Sequence, residues 1–419
     1  MNIYRLGISA FFRFGGLRWL KRKYPSGTTV PSGTTVPSAD FDQRMGIYGA
    51  DVPRGALWVH AVSVGEVQSA APLLCLARAS AGGACPLLLS TVTATGRAMA
   101  EKLRDDGLIP RETRMIYNTW DAPRFVTRAL DTLRPAAYVA METELWPVTL
   151  AELSKRGIPA FLVNGRLSAK SAARLRWPCG LGKNFWRGVL SCFERLFVRF
   201  DSDKERFISI GVPEHKITVT GDSKIDAIIA RKNALQTTEH EHHVPTFVAG
   251  STAEGEDIVV LAAFAKVREK HPSARLIIAP RHPERAPRVR ALVPPDSNVE
   301  VIDRVGVLFE LYSTADAAFV GGSLVPKGGQ NPMEPAAFGI PVSHGPHMED
   351  FPDAARMDAM GAATVVRNSD ELASAWLAAL ETRRERSSLA CEKFFTSVGG
   401  ASRRAWNAIE PYIKNRQEV

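Results

Sequence analysis

Nowhere in the 419 residues is there an uninterrupted apolar run of about twenty, the length a membrane-spanning helix requires. No ordinary transmembrane segment is therefore expected. Cysteine is scarce: Cys75, Cys85, Cys179, Cys192 and Cys391 are odd in number, scattered and never paired as Cys-x-x-Cys, which points away from a disulfide framework or a zinc site and fits a reducing compartment. Acids are missing from Met1 to Lys23, where Arg5, Arg13, Arg18, Lys21, Arg22 and Lys23 supply six of the nine net positive charges. The remainder is only mildly basic, which argues against a nucleic-acid partner. Phosphate-loop signatures are missing too. No Gly stands five residues before Gly182-Lys183, and no Gly-x-Gly-x-x-Gly follows a predicted strand, so neither an NTPase nor a dinucleotide enzyme is supported. His240, His242 and His243 fall in a linker without a carboxylate shell, and the second half has no Asp-x-Asp pair at a strand end. No metal and no cofactor are expected.

What the chain does contain is ample material for two cores, with 45% hydrophobic and 23% charged residues. Residues 1–23 mix apolar side chains with the six cations and read as an interfacial basic amphipathic segment, so an anionic membrane surface is an expected partner. Residues 24–40 hold the hexapeptide Pro25 to Val30 and its immediate repeat Pro31 to Val36, a tandem of turn formers that reads as a linker. From Leu57, short apolar runs alternate with helical stretches: Leu57 to Val62, Leu87 to Ser90, Ala137 to Met141 and Ala160 to Val163. The rhythm breaks over 234–245 and restarts at Thr246 to Ala249, Arg275 to Ala279, Val301-Ile302 and Ala317 to Val320. Two doubly wound parallel sheets follow, one over 41–233 and one over 246–398, with 234–245 as hinge and a last helix over 399–419.

The polar residues gather at strand ends, where open α/β sheets bind ligands. Glu66 follows Ser63-Val64-Gly65 at a strand-to-helix turn, Glu142 and Glu144 flank Thr143, and Asn164-Gly165-Arg166 follows the fourth strand. Singly, each reads as a helix-capping acid or a solvated loop charge; together they mark one edge of one sheet as an acceptor site. In the second half, Gly250-Ser251-Thr252 ends a strand with small residues and backbone donors able to hold a phosphate, and Arg281-His282 ends the next. Lys224 could pair with a phosphate or a carboxylate, or simply be a surface lysine. Ala317 to Val320 stops at Gly321-Gly322-Ser323, and Asn331-Pro332 looks like an N-cap with proline at the first helical position. Glu334 then either answers the helix dipole or accepts both hydroxyls of a ribose.

The stretch Gly-Gly-Ser through Gly-Gly-x-Asn-Pro-x-Glu-Pro-Ala, Gly-Ile-Pro-Val and Gly-Pro-His resembles the nucleotide-sugar site of the 3-deoxy-D-manno-octulosonic acid (Kdo) transferases of lipopolysaccharide synthesis. Val-His-Ala-Val-Ser-Val-Gly-Glu, Met-Glu-Thr-Glu-Leu-Trp-Pro and Val-Asn-Gly-Arg-Leu-Ser look like further signatures of that family, and the likeness runs over roughly residues 40 to 400. Asp203, Arg206 and Phe207 fit its pattern, whereas Gln330 stands where His is usual, Arg199 where Gln is usual and Asp222 where Asn is usual.

The resemblance implies a GT-B type glycosyltransferase: two Rossmann-like doubly wound parallel-sheet domains with a cleft between them and a C-terminal helix crossing back to the first. It implies CMP-Kdo as donor, a lipid A precursor as acceptor, and the cytoplasmic face of the bacterial inner membrane as location. It casts Glu66 as the general base of an inverting transfer, with Ser63, Gly65, Glu142, Glu144, Asn164 and Arg166 on the acceptor side. Lys224, Ser251, Thr252, Arg281, His282, Gly322, Ser323, Asn331 and Glu334 would hold the donor. A GT-B enzyme using a UDP-sugar and a non-catalytic lipid-binding relative are the rival readings.

Overall fold

The computed structural model describes residues 2–12, 38–80, 85–176, 182–235 and 244–417. The tandem hexapeptides and the three linker histidines lie outside these residues. The chain divides into two units, one made of residues 1–230 and 399–419 and the other of residues 231–398.

The first unit is built on seven strands: β1 (Leu57–His60), β2 (Leu87–Thr91), β3 (Arg114–Tyr117), β4 (Ala137–Met141), β5 (Ala160–Gly165), β6 (Arg195–Val198) and β7 (Ile217–Val219). Their spatial order is 3-2-1-4-5-6-7, and every pairing is parallel. Strands buried on both faces are continuously apolar, yet alternate residues still go to opposite sides. Trp58, Leu88, Tyr138 and Leu162 fill the core on one face of the sheet. Leu57, Val59, Leu89, Val139 and Phe161 fill the other. At about 1.5–3 kcal/mol for each large side chain buried, these two layers dominate the stability of the unit.

The helices that pack on the sheets and carry site residues include α1 (Asn2–Phe11), α2 (Val64–Ser80), α3 (Ala169–Arg176), α4 (Ser223–Ala234), α5 (Glu256–Lys270), α6 (Met333–Ala336) and α7 (Ala401–Gln417). Helix α7 belongs to the first unit. Trp406, Ile409 and Ile413 complete the core layer on the Val139 side. The Trp406 indole donates to Ser80 Oγ at 3.0 Å, and Asp226 accepts from the amides of Gly400 and Ser402 at 2.6 and 2.7 Å.

Helix α1 is tied to the same unit by specific contacts. Tyr4 O–H donates to Asp121 at 3.5 Å, Arg5 pairs with Glu152 at 2.5 Å, and the Phe12 ring meets Phe125 edge-on at 5.0 Å. Arg5 thus turns inward onto Glu152, which it shares with Lys155 and Arg156. Leu6 and Phe11 face outward, 69% and 48% exposed. No described helix is long and apolar enough to cross a membrane.

The second unit has six strands, β8 (Thr246–Thr252), β9 (Arg275–Pro280), β10 (Val299–Val301), β11 (Ala317–Val320), β12 (Val342–His344) and β13 (Thr364–Val365), in the order 10-9-8-11-12-13 and again all parallel. Phe247, Phe319 and Trp376 sit in the core on one side of this sheet, Val248, Ile277 and Tyr312 on the other. Both strand orders reverse direction once, between β1 and β4 and between β8 and β11. These are the points where loops diverge and leave a crevice beyond the strands' carboxyl ends.

Candidate functional site

At the first reversal point, β1 runs into α2 and β4 runs into the Glu142–Trp146 loop. Glu66, in the first turn of α2, accepts from Val62 N–H and Ser63 O–H, both at 2.8 Å. Locally this is the reach-back of a capping acid. Only one hydrogen bond lands on each oxygen, so both keep acceptor capacity toward the cavity. Burial pushes the Glu66 carboxyl above the ordinary range, against the two hydrogen bonds that pull it down. A Cβ added to Gly65 would meet nothing within 4 Å. Packing does not demand that glycine; it leaves open space beside Glu66.

Glu142 and Glu144 complete a group of three carboxylates lining a cavity of about 460 Å³. Burial first, and the charge of Glu66 next, lift Glu144 to about 7. Glu142 is held in the left-handed backbone region at φ 54°, a conformation that costs a non-glycine residue on the order of 1 kcal/mol or more and is retained mainly at functional sites. Its carboxylate pairs with Lys224 at 2.7 Å and lies 3.9 Å from Arg166. Lys224 therefore stands beside this acid cluster, taking a carboxylate as partner, one of the two pairings the sequence offered for it.

Asn164, expected on the acceptor side, is not among the residues lining the cavity. It is buried, in the left-handed region at φ 59°, and its Oδ1 accepts from Ser223 N–H at 3.0 Å. It holds the start of α4 and so positions Lys224, without facing the cavity. Asp222 helps, accepting from Lys224 N–H at 2.9 Å. The two departures Arg199 and Asp222 meet each other in an ion pair at 2.9 Å. One unusual residue thus answers the other's charge. Asp203 accepts from Leu167 N–H at 2.8 Å and Arg206 donates to Leu167 O at 3.1 Å, fixing the loop that presents Arg166 and Ser168.

At the second reversal point, the β11 end approaches β8 so closely that a Cβ on Gly321 would lie 2.5 Å from Ser251 O and Thr252 Cα. Only glycine fits there. The amides beyond it are not free to cradle a phosphate. Gly322, Ser323 and Leu324 N–H donate to the carboxylate of Glu256 at 2.7, 2.8 and 2.8 Å, and Ala253 N–H adds a fourth bond at 2.7 Å. Glu256, in the first turn of α5 and fully buried, fills the anion nest that the sequence offered to a ligand. The Ser323 hydroxyl donates to Val320 O and accepts from Gly345 N–H. Thr252 O–H donates to Asp257 at 2.7 Å. Gly322, Ser323 and Thr252 thus act inside the scaffold.

Ser251 remains, at φ 55° with a hydroxyl that has no protein partner among the described residues, next to the strand end carrying the exposed side chains of Arg281 and His282. Arg281 N–H fixes the pairing by donating to Thr252 O at 3.1 Å. Asn331 Oδ1 accepts from Met333 N–H at 3.1 Å, the bond an Asn331 cap makes, while α6 itself starts at Met333, one residue after Pro332, and runs for only four residues. Glu334 is pushed up by burial, opposed by the Arg231 charge and an Asn331 hydrogen bond. Arg231 itself stacks on Phe309 at 4.1 Å from the ring centre. Gln330 donates to Gly329 O at 2.8 Å, beside Gly322.

Sequence reasoning missed Glu256, Arg231, and the Arg174, Ser171 and Trp186 that line the carboxylate cavity. Glu256 alone left a signal, as an acid in a predicted helix start. Among the described residues no group of three His, Cys, Asp or Glu side chains has the arrangement of a metal site.

Residues 39–227 match the family described as 3-Deoxy-D-manno-octulosonic-acid transferase (kdotransferase). A 3-deoxy-D-manno-octulosonic acid transferase of Haemophilus influenzae is 31% identical over 399 residues, covering 89% of this chain and 91% of the relative. Its namesake from Bordetella pertussis is 32% identical over 399 residues, covering 88% and 91%. In three dimensions, a UDP-GlcNAc 2-epimerase from Neisseria meningitidis, bound to UDP-GlcNAc, superposes with a TM-score of 0.61 at 16% identity, over 85% of this chain and 100% of that one. That likeness shows a shared fold of two parallel-sheet α/β domains.

Proposed function

The chain belongs to the 3-deoxy-D-manno-octulosonic acid transferase family, and on that premise we propose that it moves Kdo from CMP-Kdo to a hydroxyl of a lipid A precursor in lipopolysaccharide synthesis. The observation that carries this reading is Glu66, a buried carboxylate with a raised pKa and open acceptor capacity, set at the reversal point of the first sheet in a cavity with Glu142 and Glu144. A base poised above the ordinary carboxylate range is matched to deprotonating a sugar hydroxyl near neutral pH.

Glu66 takes the proton of the acceptor hydroxyl as that oxygen attacks the anomeric carbon. The new carbon–oxygen bond forms as the bond to the phosphate oxygen of CMP breaks on the opposite face, so configuration inverts. Lys224, through Glu142, sets the charge around Glu66. The departing phosphate charge falls to Ser251, Arg281 and His282, the donor-side groups whose side chains are left without internal partners among the described residues. Glu334 and Asn331 take the ribose. The exposed Leu6 and Phe11 of α1, with the basic residues up to Lys23, bring the enzyme to the anionic cytoplasmic face of the inner membrane.

Incubation with CMP-Kdo and a tetra-acylated lipid A precursor, with mass spectrometry of the lipid, tests the reading. Glu66→Gln keeps its fold and its CMP binding and lowers transfer about 10²-fold or more. Near-wild-type turnover in that variant removes Glu66 as base, and stabilisation by UDP in place of CMP redirects the donor.

A further inference from the structure

Arg231 is the first residue of the second unit and lies in the last turn of α4. Its guanidinium carbon stands 4.1 Å above the centre of the Phe309 ring. A guanidinium stacked in this way is held to one plane and keeps its full charge. Among the described residues no acid forms an ion pair with it. That charge is free to act on its surroundings.

Phe309 in turn meets Phe338 at 4.9 Å. The chain keeps turning past Ala336, with Ala337 N–H donating to Met333 O at 3.0 Å and Phe338 N–H to Pro335 O at 2.9 Å, so Phe338 stands one turn after Glu334 on the same face. Tyr312, three residues beyond Phe309 in the helix Leu308–Ser313, is buried, and burial first and the Glu334 charge next push its phenol up. Arg231, Phe309, Tyr312, Phe338 and Glu334 are thus one cluster.

What a carboxyl can do for two ribose hydroxyls depends on its charge. Ionised, it accepts strongly from both; protonated, it has to donate through one oxygen and accepts weakly through the other. Burial drives Glu334 toward the protonated form, Arg231 opposes it, and Asn331 adds a hydrogen bond. The Tyr312 phenol and the Asn331 amide are neutral and bring no countercharge.

We propose that Arg231, held flat on Phe309, is the countercharge that makes Glu334 an acceptor for both ribose hydroxyls, and that it thereby sets the preference for a ribonucleotide donor over a deoxyribonucleotide one. Arg231 is a positioning residue, acting through Glu334, and the inference rests on the ribose role given to Glu334 above.

Calorimetric titration of the full chain with CMP and with 2′,3′-dideoxy CMP measures that preference, and the ratio of the two affinities cancels the phosphate's own titration, which both ligands share. Wild type favours CMP by about tenfold or more near neutral pH. Arg231→Met keeps an apolar stem on Phe309 without the charge, and cuts the preference to about threefold or less. Raising the pH restores it, because Glu334 without its countercharge ionises at a higher pH and the ionised acceptor returns above that point. Arg231→Lys, charged but not planar, keeps an intermediate preference. No preference in wild type strikes the ribose reading itself. A preference present in wild type and unchanged in Arg231→Met overturns the role of Arg231 alone. So does a loss that high pH does not restore and that Arg231→Lys shares in full, since lost packing and not lost charge then explains it.

Discussion

Glu144 shows how three acids in one cavity are kept compatible. Like charges in a partly buried space cannot all ionise cheaply, and here the proton stays on Glu144, lifted from 4.5 to about 7 by burial and by Glu66. A carboxyl whose folded pKa is raised binds its proton more tightly in the folded state. The stability it brings is complete below its unfolded pKa and is lost as pH climbs through the folded one. Glu144→Gln, which cannot ionise, should therefore be more stable than wild type at pH 8 by about 1–2 kcal/mol after allowance for solvent screening in the open cavity. The gap should close near pH 4.5, the ordinary value. Thermal unfolding of both proteins across that range checks it, and a constant difference would show that Glu144 is not the group carrying the proton. Glu66, Glu142 and Glu144 were legible because acids after apolar runs are conspicuous. The partners of Asn164 and Lys224, Ser223 and Glu142, were not legible because they are far off in sequence and become neighbours only once the sheet has formed.

Among elements, the loop after β11 is the most constrained. It takes four amide donors from two segments to satisfy Glu256, and in return Glu256 dictates where Gly322 to Leu324 lie. Glu256→Gln brings an NH₂ against those donors, so the second unit should lose roughly 3 kcal/mol or more. Amide hydrogen exchange reports this locally: Gly322, Ser323 and Leu324 should be protected in wild type and exchange far faster in the variant. Equal protection would mean that the carboxylate does not organise the loop. The strands that flank such loops were readable where an apolar run such as Leu87 to Leu89 or Ala317 to Val320 stops at small residues. Strands β3, β6, β7, β12 and β13 escaped notice, because at two to four residues they carry too little apolar sequence to stand out from the loops around them. Gly339, in the left-handed region at φ 71° just past α6, and Pro341 beyond it explain why the expected helix after Asn331 is a single turn.

Over the whole molecule, charge and connectivity are the two properties that no single element reveals. Six of the nine net positive charges lie in residues 1–23, and near an anionic surface each free one is worth roughly 1 kcal/mol. Removing those residues should release the protein from anionic vesicles, as high salt should for the full chain, whereas Arg5→Gln alone should change sedimentation little, because that guanidinium is turned inward onto Glu152 and is only 22% exposed. Equal sedimentation of the truncated and full-length proteins would dispose of the anchor.

Connectivity has its own consequence. The first unit contains residues 1–230 but is completed by residues 399–419, with Trp406 entering its core. A ribosome adding about 5–20 residues per second takes on the order of ten seconds or more to translate the intervening 231–398. Throughout that interval the face of the first sheet that will receive Trp406, Ile409 and Ile413 is uncovered, and the contiguous second unit can finish folding before the first one does. In the cell, then, the hazard of aggregation is set by how long the nascent chain waits for its own last helix.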